Sequence, residues 1–143
     1  MARVASGPRR RAREVAFRIA YQADVSGDTF AAAWQQRRDE ERLNGDQVEL
    51  VDDMIGALRD RGEEIDGWIR EAAERWPLER LSLTDRAVLR SAAAELASRA
   101  GTPARVVIDE FVDIAKRFGS EDSGRFVNGV LDAIARRLRP EEW

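Results

Sequence analysis

Four arginines in five positions, Arg9, Arg10, Arg11 and Arg13, open the first strongly patterned stretch of the chain. Guanidinium groups form bidentate hydrogen bonds with phosphate and stack on bases, so the chemistry they offer is recognition of an anionic polymer. Arginine-rich segments that order on RNA are a recurring binding mode, although such a cluster taken alone is more often a solvated tail. A second concentration lies at 118–128, FGSEDSGRFVN, where small capping residues lead into Arg125, Phe126 and Asn128. Backbone N–H groups at such a helix start can receive a phosphate, Arg125 and Phe126 offer stacking, and Asn128 offers base-edge hydrogen bonds. The alternative at this segment is a capped turn with Phe126 buried and Asn128 capping or bridging. Tyr21 stands one turn beyond Phe17; Phe17 is expected in the core, and either ring could stack on a base.

The inventory excludes most catalysis. There is no histidine and no cysteine, which removes the commonest general base, the thiol nucleophile, disulfides and thiolate metal sites. The acidic groups Asp109 with Glu110, and Asp39 with Glu40 and Glu41, are expected to be solvated faces, because no phosphate-cradling glycine loop or further convergent group accompanies them. No catalytic residue, metal or cofactor is therefore expected. The net charge of −3 would argue against nucleic acid, but it averages over a strong asymmetry. Residues 1–18 carry six arginines against Glu14 alone, whereas 39–79 is dominated by Asp and Glu. Every basic side chain except Lys116 is arginine, a bias that high genomic GC content would also produce.

The elements that must position these groups are helices. Ala12, Val15, Ala16, Ile19, Ala20 and Ala23 follow one helical face and predict a first helix over about 8–25. A short helix around Phe30, Ala33 and Trp34 follows. Val48, Val51, Met54, Ile55 and Leu58, then Ile65, Trp68, Ile69 and Ala72, predict two helices or one kinked near Gly62. Pro77 forces a boundary, and Ser82 or Thr84 caps the next helix, which runs to about Gly101. Thr102 as a side-chain cap before Pro103 predicts a helix over about 103–118, ended by Gly119 in a left-handed conformation. A last helix carries Phe126, Val127, Val130, Leu131, Ile134 and Leu138. The tryptophans are expected at helix junctions, apart from a mobile Trp143. With 143 residues, 43 % hydrophobic and 36 % charged, the expectation is one all-α domain of six to seven helices over residues 1–143, flexible at 1–8. No apolar run suits a membrane span or a secretory signal, so a cytoplasmic protein is expected.

Read together, RRRARE at 9–14, AYQ at 20–22, WPLERLSLTDRAVLR at 76–90, AEL around Glu95 and VVIDEFVDIAKRFGSEDSGRFVNGVLD at 106–132 resemble the NusB family of transcription antitermination factors. The resemblance covers nearly the whole chain, and its FVNGVLD ending is the most specific part. Two departures stand out: Ala94 precedes Glu95 where the family often has tyrosine, and DEFVDIAK at 109–116 replaces a common NEAVELAK. The resemblance implies an all-α fold of two helical halves. It implies binding to the boxA element of ribosomal RNA leader transcripts with NusE, a small-subunit ribosomal protein, and entry into the RNA polymerase elongation complex with other Nus factors. It places Arg9, Arg10, Arg11 and Arg13 on phosphates, with Arg86, Lys116 and Arg117 extending the basic track and Arg125 and Phe126 at the loop. Tyr21, Asp85 and Asp122 would face NusE or lie beside the RNA, although Asp122 could instead cap the last helix.

Two other readings compete. A NusB-like protein-binding scaffold or homodimer without RNA binding would use the acidic middle of the chain. A NusB-like domain of an RNA methyltransferase would require an α/β domain with a glycine-rich cofactor loop, which these 143 residues do not contain.

Overall fold

The structure is a computed structural model that describes residues 7–143, and among these the regular elements are six α-helices and two short 3-10 turns. The flexibility expected at 1–8 falls, for residues 1–6, outside the described residues; Gly7 and Pro8 are the N-cap and first residue of α1 (Pro8–Ser26). Proline suits that place because its missing N–H would have no intrahelical partner. Gly27 ends α1 with φ +78°, a left-handed conformation open to glycine, and its N–H bonds to the Ala23 carbonyl at 2.9 Å.

α2 (Phe30–Arg37) starts from a Thr29 cap, and α3 (Gly45–Ala72) from an Asn44–Gln47 capping box. α3 is a single helix broken in geometry at Arg61, where φ is −127°, immediately before Gly62. A 3-10 turn at Leu78–Arg80 leads into α4 (Leu83–Ser98), capped by Ser82. α5 (Ala104–Phe118) and α6 (Ser123–Leu138) complete the helices, followed by a 3-10 turn at Pro140–Glu142. Among the described residues no helix is long and apolar enough to cross a membrane.

α1, α2 and α3 pack on one another, α4, α5 and α6 do likewise, and α4 joins the halves by also packing on α1 and α3. Its sequence explains this position. From Ala87 to Leu96 all residues but Arg90 are buried, and Ala87, Ala92, Ala93 and Ala94 are small enough for neighbouring backbones to approach on several sides. α5 and α6 are instead amphipathic, burying Val107, Phe111 and Ile114, and Val127, Leu131 and Ile134.

Three end details differ from the expectations. α5 has no Thr102 side-chain cap. The carboxylate of Glu142 accepts the Ala104 N–H at 2.8 Å instead, while buried Thr102 gives its carbonyl to Arg139. Gly119 is extended, not left-handed, with φ −98° and ψ −164°. Space selects glycine there, since a Cβ would lie 2.8 Å from the Ala115 carbonyl oxygen and collide with Ser123 Oγ. Trp76 stands at the junction between α3 and the following 3-10 turn but is 57 % exposed there, whereas Trp34 and Trp68 are buried. Trp143 lies between the guanidiniums of Arg105 and Arg136, 5.7 and 5.0 Å from its ring centre.

Candidate nucleic-acid interface

Successive residues of a helix point about 100° apart, so four arginines in five positions cannot share a face. The structure sends them to four surroundings. Arg9 is exposed beside the start of α3, in a crevice with Asn44, Asp46, Gln47, Glu49 and Arg99. Arg11 turns to the connection between α2 and α3 and donates to the Glu41 carbonyl at 2.8 Å. Arg10 turns to α5, donating to both Glu110 oxygens at 3.0 and 3.1 Å and to Asp113 at 3.0 Å.

Arg13 is withdrawn from the surface set. It is 2 % exposed, forks onto both oxygens of Glu95 at 2.8 Å each, and reaches Glu110 at 3.3 Å. Burial lowers its pKa, but the hydrogen bonds and charges of Glu95 and Glu110 outweigh burial and hold it above the ordinary arginine value. The contact joins α1, α4 and α5, and a phosphate could engage Arg13 only by opening the core. Arg86 is similarly committed. Its side chain is 14 % exposed and donates to Asp24 at 2.7 Å and to the Leu78 carbonyl at 3.1 Å.

The same pairs revise two solvated acids. Glu110 and Glu41 are buried, Glu110 under Arg10 and Arg13 and Glu41 under Arg37 at 2.8 Å. Glu95 was identified only as part of a family motif, and its structural role was missed. Its signal was a lone carboxylate inside the apolar run SAAAELA, a position that requires a buried cation.

One cationic edge does form. Arg117 at the end of α5 is exposed and donates to Glu14 of α1 at 3.2 Å. Exposed Lys116 lays its stem across Gly124 of α6, where a Cβ would stand 2.7 Å from Lys116 Cγ. Arg125 and Asn128 are exposed on the first turns of α6, while Phe126 is half-buried against the core. Lys116 thus bridges α5 to α6 at Gly124 and Arg117 bridges α5 to α1 at Glu14, with exposed Arg125 next to Gly124 on α6. The turn before α6 is tied by Ser123 Oγ, which accepts the Ser120 N–H at 3.0 Å; the Asp122 side chain makes no cap.

The residues expected to face a protein partner lie on two adjoining depressions. Tyr21 is exposed on a largely apolar groove of about 550 Å³ with Phe17, Arg18, Val25, Thr84 and Phe118. Phe17 itself is buried, its ring 5.3 Å from that of Phe118. Asp85 and Asp122 meet on a crevice of about 240 Å³ that also holds Trp76, Arg80 and Phe126. Asp85 Oδ1 is buried with no hydrogen-bond partner. Among the described residues no group of acidic side chains could hold a metal ion.

Comparison with known proteins agrees with this architecture. The model of the NusB family matches residues 10–136. The chain is 39 % identical to the transcription antitermination protein NusB of Koribacter versatilis, over 96 % of this chain and 95 % of that protein. It is 41 % identical to the protein of the same name from Bacillus mycoides, over 91 % and 98 %. Among solved structures, NusB of T. maritima superposes with a TM-score of 0.87 at 37 % identity, covering 95 % of this chain and 96 % of that one. A chain from the complex of antitermination factors NusB and NusE with double-stranded RNA superposes with a TM-score of 0.80 at 29 % identity, covering 91 % and 97 %. Sequence along nearly the whole length and the helical architecture therefore agree that this chain belongs to the NusB family of transcription antitermination proteins.

Proposed function

We propose that the chain binds the boxA element of ribosomal RNA leader transcripts together with NusE and joins the RNA polymerase elongation complex with other Nus factors, acting in the cytoplasm by recognition without catalysis. The observation that carries this reading is the exposed cluster of Lys116 and Arg117 at the end of α5 and Arg125 at the start of α6, with Asn128 one turn further along α6. Cations supply affinity through phosphate, and an exposed amide at a helix start supplies base-edge contacts. On α1, Arg10 faces α5 beside these cations, Arg9 and Arg11 add charge toward the start of α3 and the α2–α3 connection, and Phe126 backs the α6 side. A related chain is known in a complex with NusE and RNA, which supports the same pairing of partners here.

NusE is assigned to the Tyr21 groove and the Asp85–Asp122 crevice, which share the first turn of α4. The unsatisfied Asp85 oxygen favours a partner that brings a donor, most simply a basic side chain. The exposed Val25 and Tyr21 would also support a homodimer, which NusE would displace.

Titration of a boxA RNA and a scrambled RNA, each with and without NusE, tests the reading. Tighter binding of boxA in the presence of NusE is expected, and equal binding of the two RNAs would overturn it. Sedimentation at two concentrations, with and without NusE, tests the homodimer.

A further inference from the structure

Arg10 is the member of the arginine cluster that faces α5, the helix ending in Lys116 and Arg117. Its guanidinium is 11 % exposed and lies in three hydrogen bonds of 3.0–3.1 Å, two to Glu110 and one to Asp113. The two carboxylates differ in kind. Glu110 is buried and also serves Arg13, so it belongs to the ion cluster that fixes α1 to α4 and α5. Asp113 is 35 % exposed, on the surface side of Arg10, and precedes Lys116 and Arg117 by three and four residues. Groups so spaced on a helix are neighbours, which puts an anion beside the cations of the proposed RNA edge.

The Glu95 and Glu110 pairs hold α1 to the α4–α5 face on the buried side of Arg10, away from the surface where Asp113 stands. A carboxylate there opposes phosphate binding in two ways: it repels the backbone, and it occupies Arg10. We propose that Asp113 is a specificity-determining residue that holds Arg10 back from RNA phosphates, suppressing sequence-independent binding. This rests on the RNA-binding reading above. Arg10 then engages phosphate only where other contacts keep the RNA on this edge long enough to displace Asp113.

The test is Asp113→Asn, with Asp113→Glu as the charge-conserving control and thermal melting to confirm the fold. Binding is measured at a series of salt concentrations on a boxA RNA with NusE and on a scrambled single-stranded RNA. For Asp113→Asn the scrambled RNA should bind more tightly, with a salt slope steeper by about 0.7, the value of one added phosphate contact on a single strand. The boxA complex should gain less, narrowing discrimination, and Asp113→Glu should keep the wild-type slope. Adding Arg10→Gln to Asp113→Asn should return the slope to that of the wild type. An unchanged slope in Asp113→Asn, or an equal loss of slope from Arg10→Gln with and without that substitution, would overturn the proposal. Failure of the boxA reading has a different signature, equal binding of boxA and scrambled RNA by the wild type. Absence of binding to either RNA overturns both.

Discussion

Arginine in this chain does two opposite jobs, and burial separates them. Arg13 and Glu95 form a forked pair in the interior, and removing one member strands the other charge where water cannot reach it. Glu95→Ala should therefore destabilise the protein by about 3–5 kcal/mol in urea unfolding, as expected for a broken buried pair. Exposed pairs behave differently, because solvent already screens them. Breaking the Arg117–Glu14 contact with Glu14→Gln should leave stability within about 0.5 kcal/mol of the wild type. Arg117→Gln should instead flatten the salt dependence of RNA binding by about 0.7, with melting unchanged. The sequence displayed the cationic character of residues 9–13 but not its distribution. Helical periodicity could have turned Arg13 inward, since it stands between Ala12 and Ala16 on the buried side.

At the scale of helices, two glycines flanking the α5–α6 turn have different physical reasons. A Cβ on Gly119 would press on the Ala115 backbone oxygen, which cannot move without unwinding the end of α5. A Cβ on Gly124 would meet the stem of Lys116, which can swing away. Gly119→Ala should cost about 1–3 kcal/mol of stability, the usual range for overpacking, and Gly124→Ala clearly less. Gly124→Ala should nevertheless weaken RNA binding by moving Lys116, and comparing melting with affinity for both variants separates the effects. The start of α5 yields a pH prediction. The backbone N–H of Ala104, and then Arg139, hold the Glu142 carboxyl below its ordinary value of 4.5. A depressed pKa means stability that is present above that value and lost as pH falls through the folded-state value. Glu142→Gln should thus reduce the loss of stability on acidification below about pH 4.5, measured by melting temperature across pH.

For the whole molecule, the residues after α6 act as a strap. Arg139 is buried and donates to the carbonyls of Leu96, Arg99 and Thr102 at 2.6–3.2 Å, closing the exposed end of α4 while its partner Glu142 closes the start of α5. Arg139→Ala leaves several buried acceptors unsatisfied and should cost about 3 kcal/mol in chemical unfolding. RNA affinity should be retained below the transition, because the strap lies apart from the Lys116–Gly124 contact.

The local pattern of the sequence determined the helices, their order and most of their starts, because apolar spacing and capping chemistry depend on residues within a few positions of one another. It also marked the two segments that the proposed RNA edge uses, and the family motifs that span the chain. What the tertiary structure alone decided are contacts between residues far apart in sequence. Arg13 meets Glu95, Arg10 meets Glu110 and Asp113, Arg117 meets Glu14, and Glu142 replaces Thr102 as the cap of α5. Such pairings depend on how helices pack and rotate, and no period within one helix encodes them. A run of arginines therefore became one buried tie, one restrained cation and two surface charges, and only the folded chain distinguishes them.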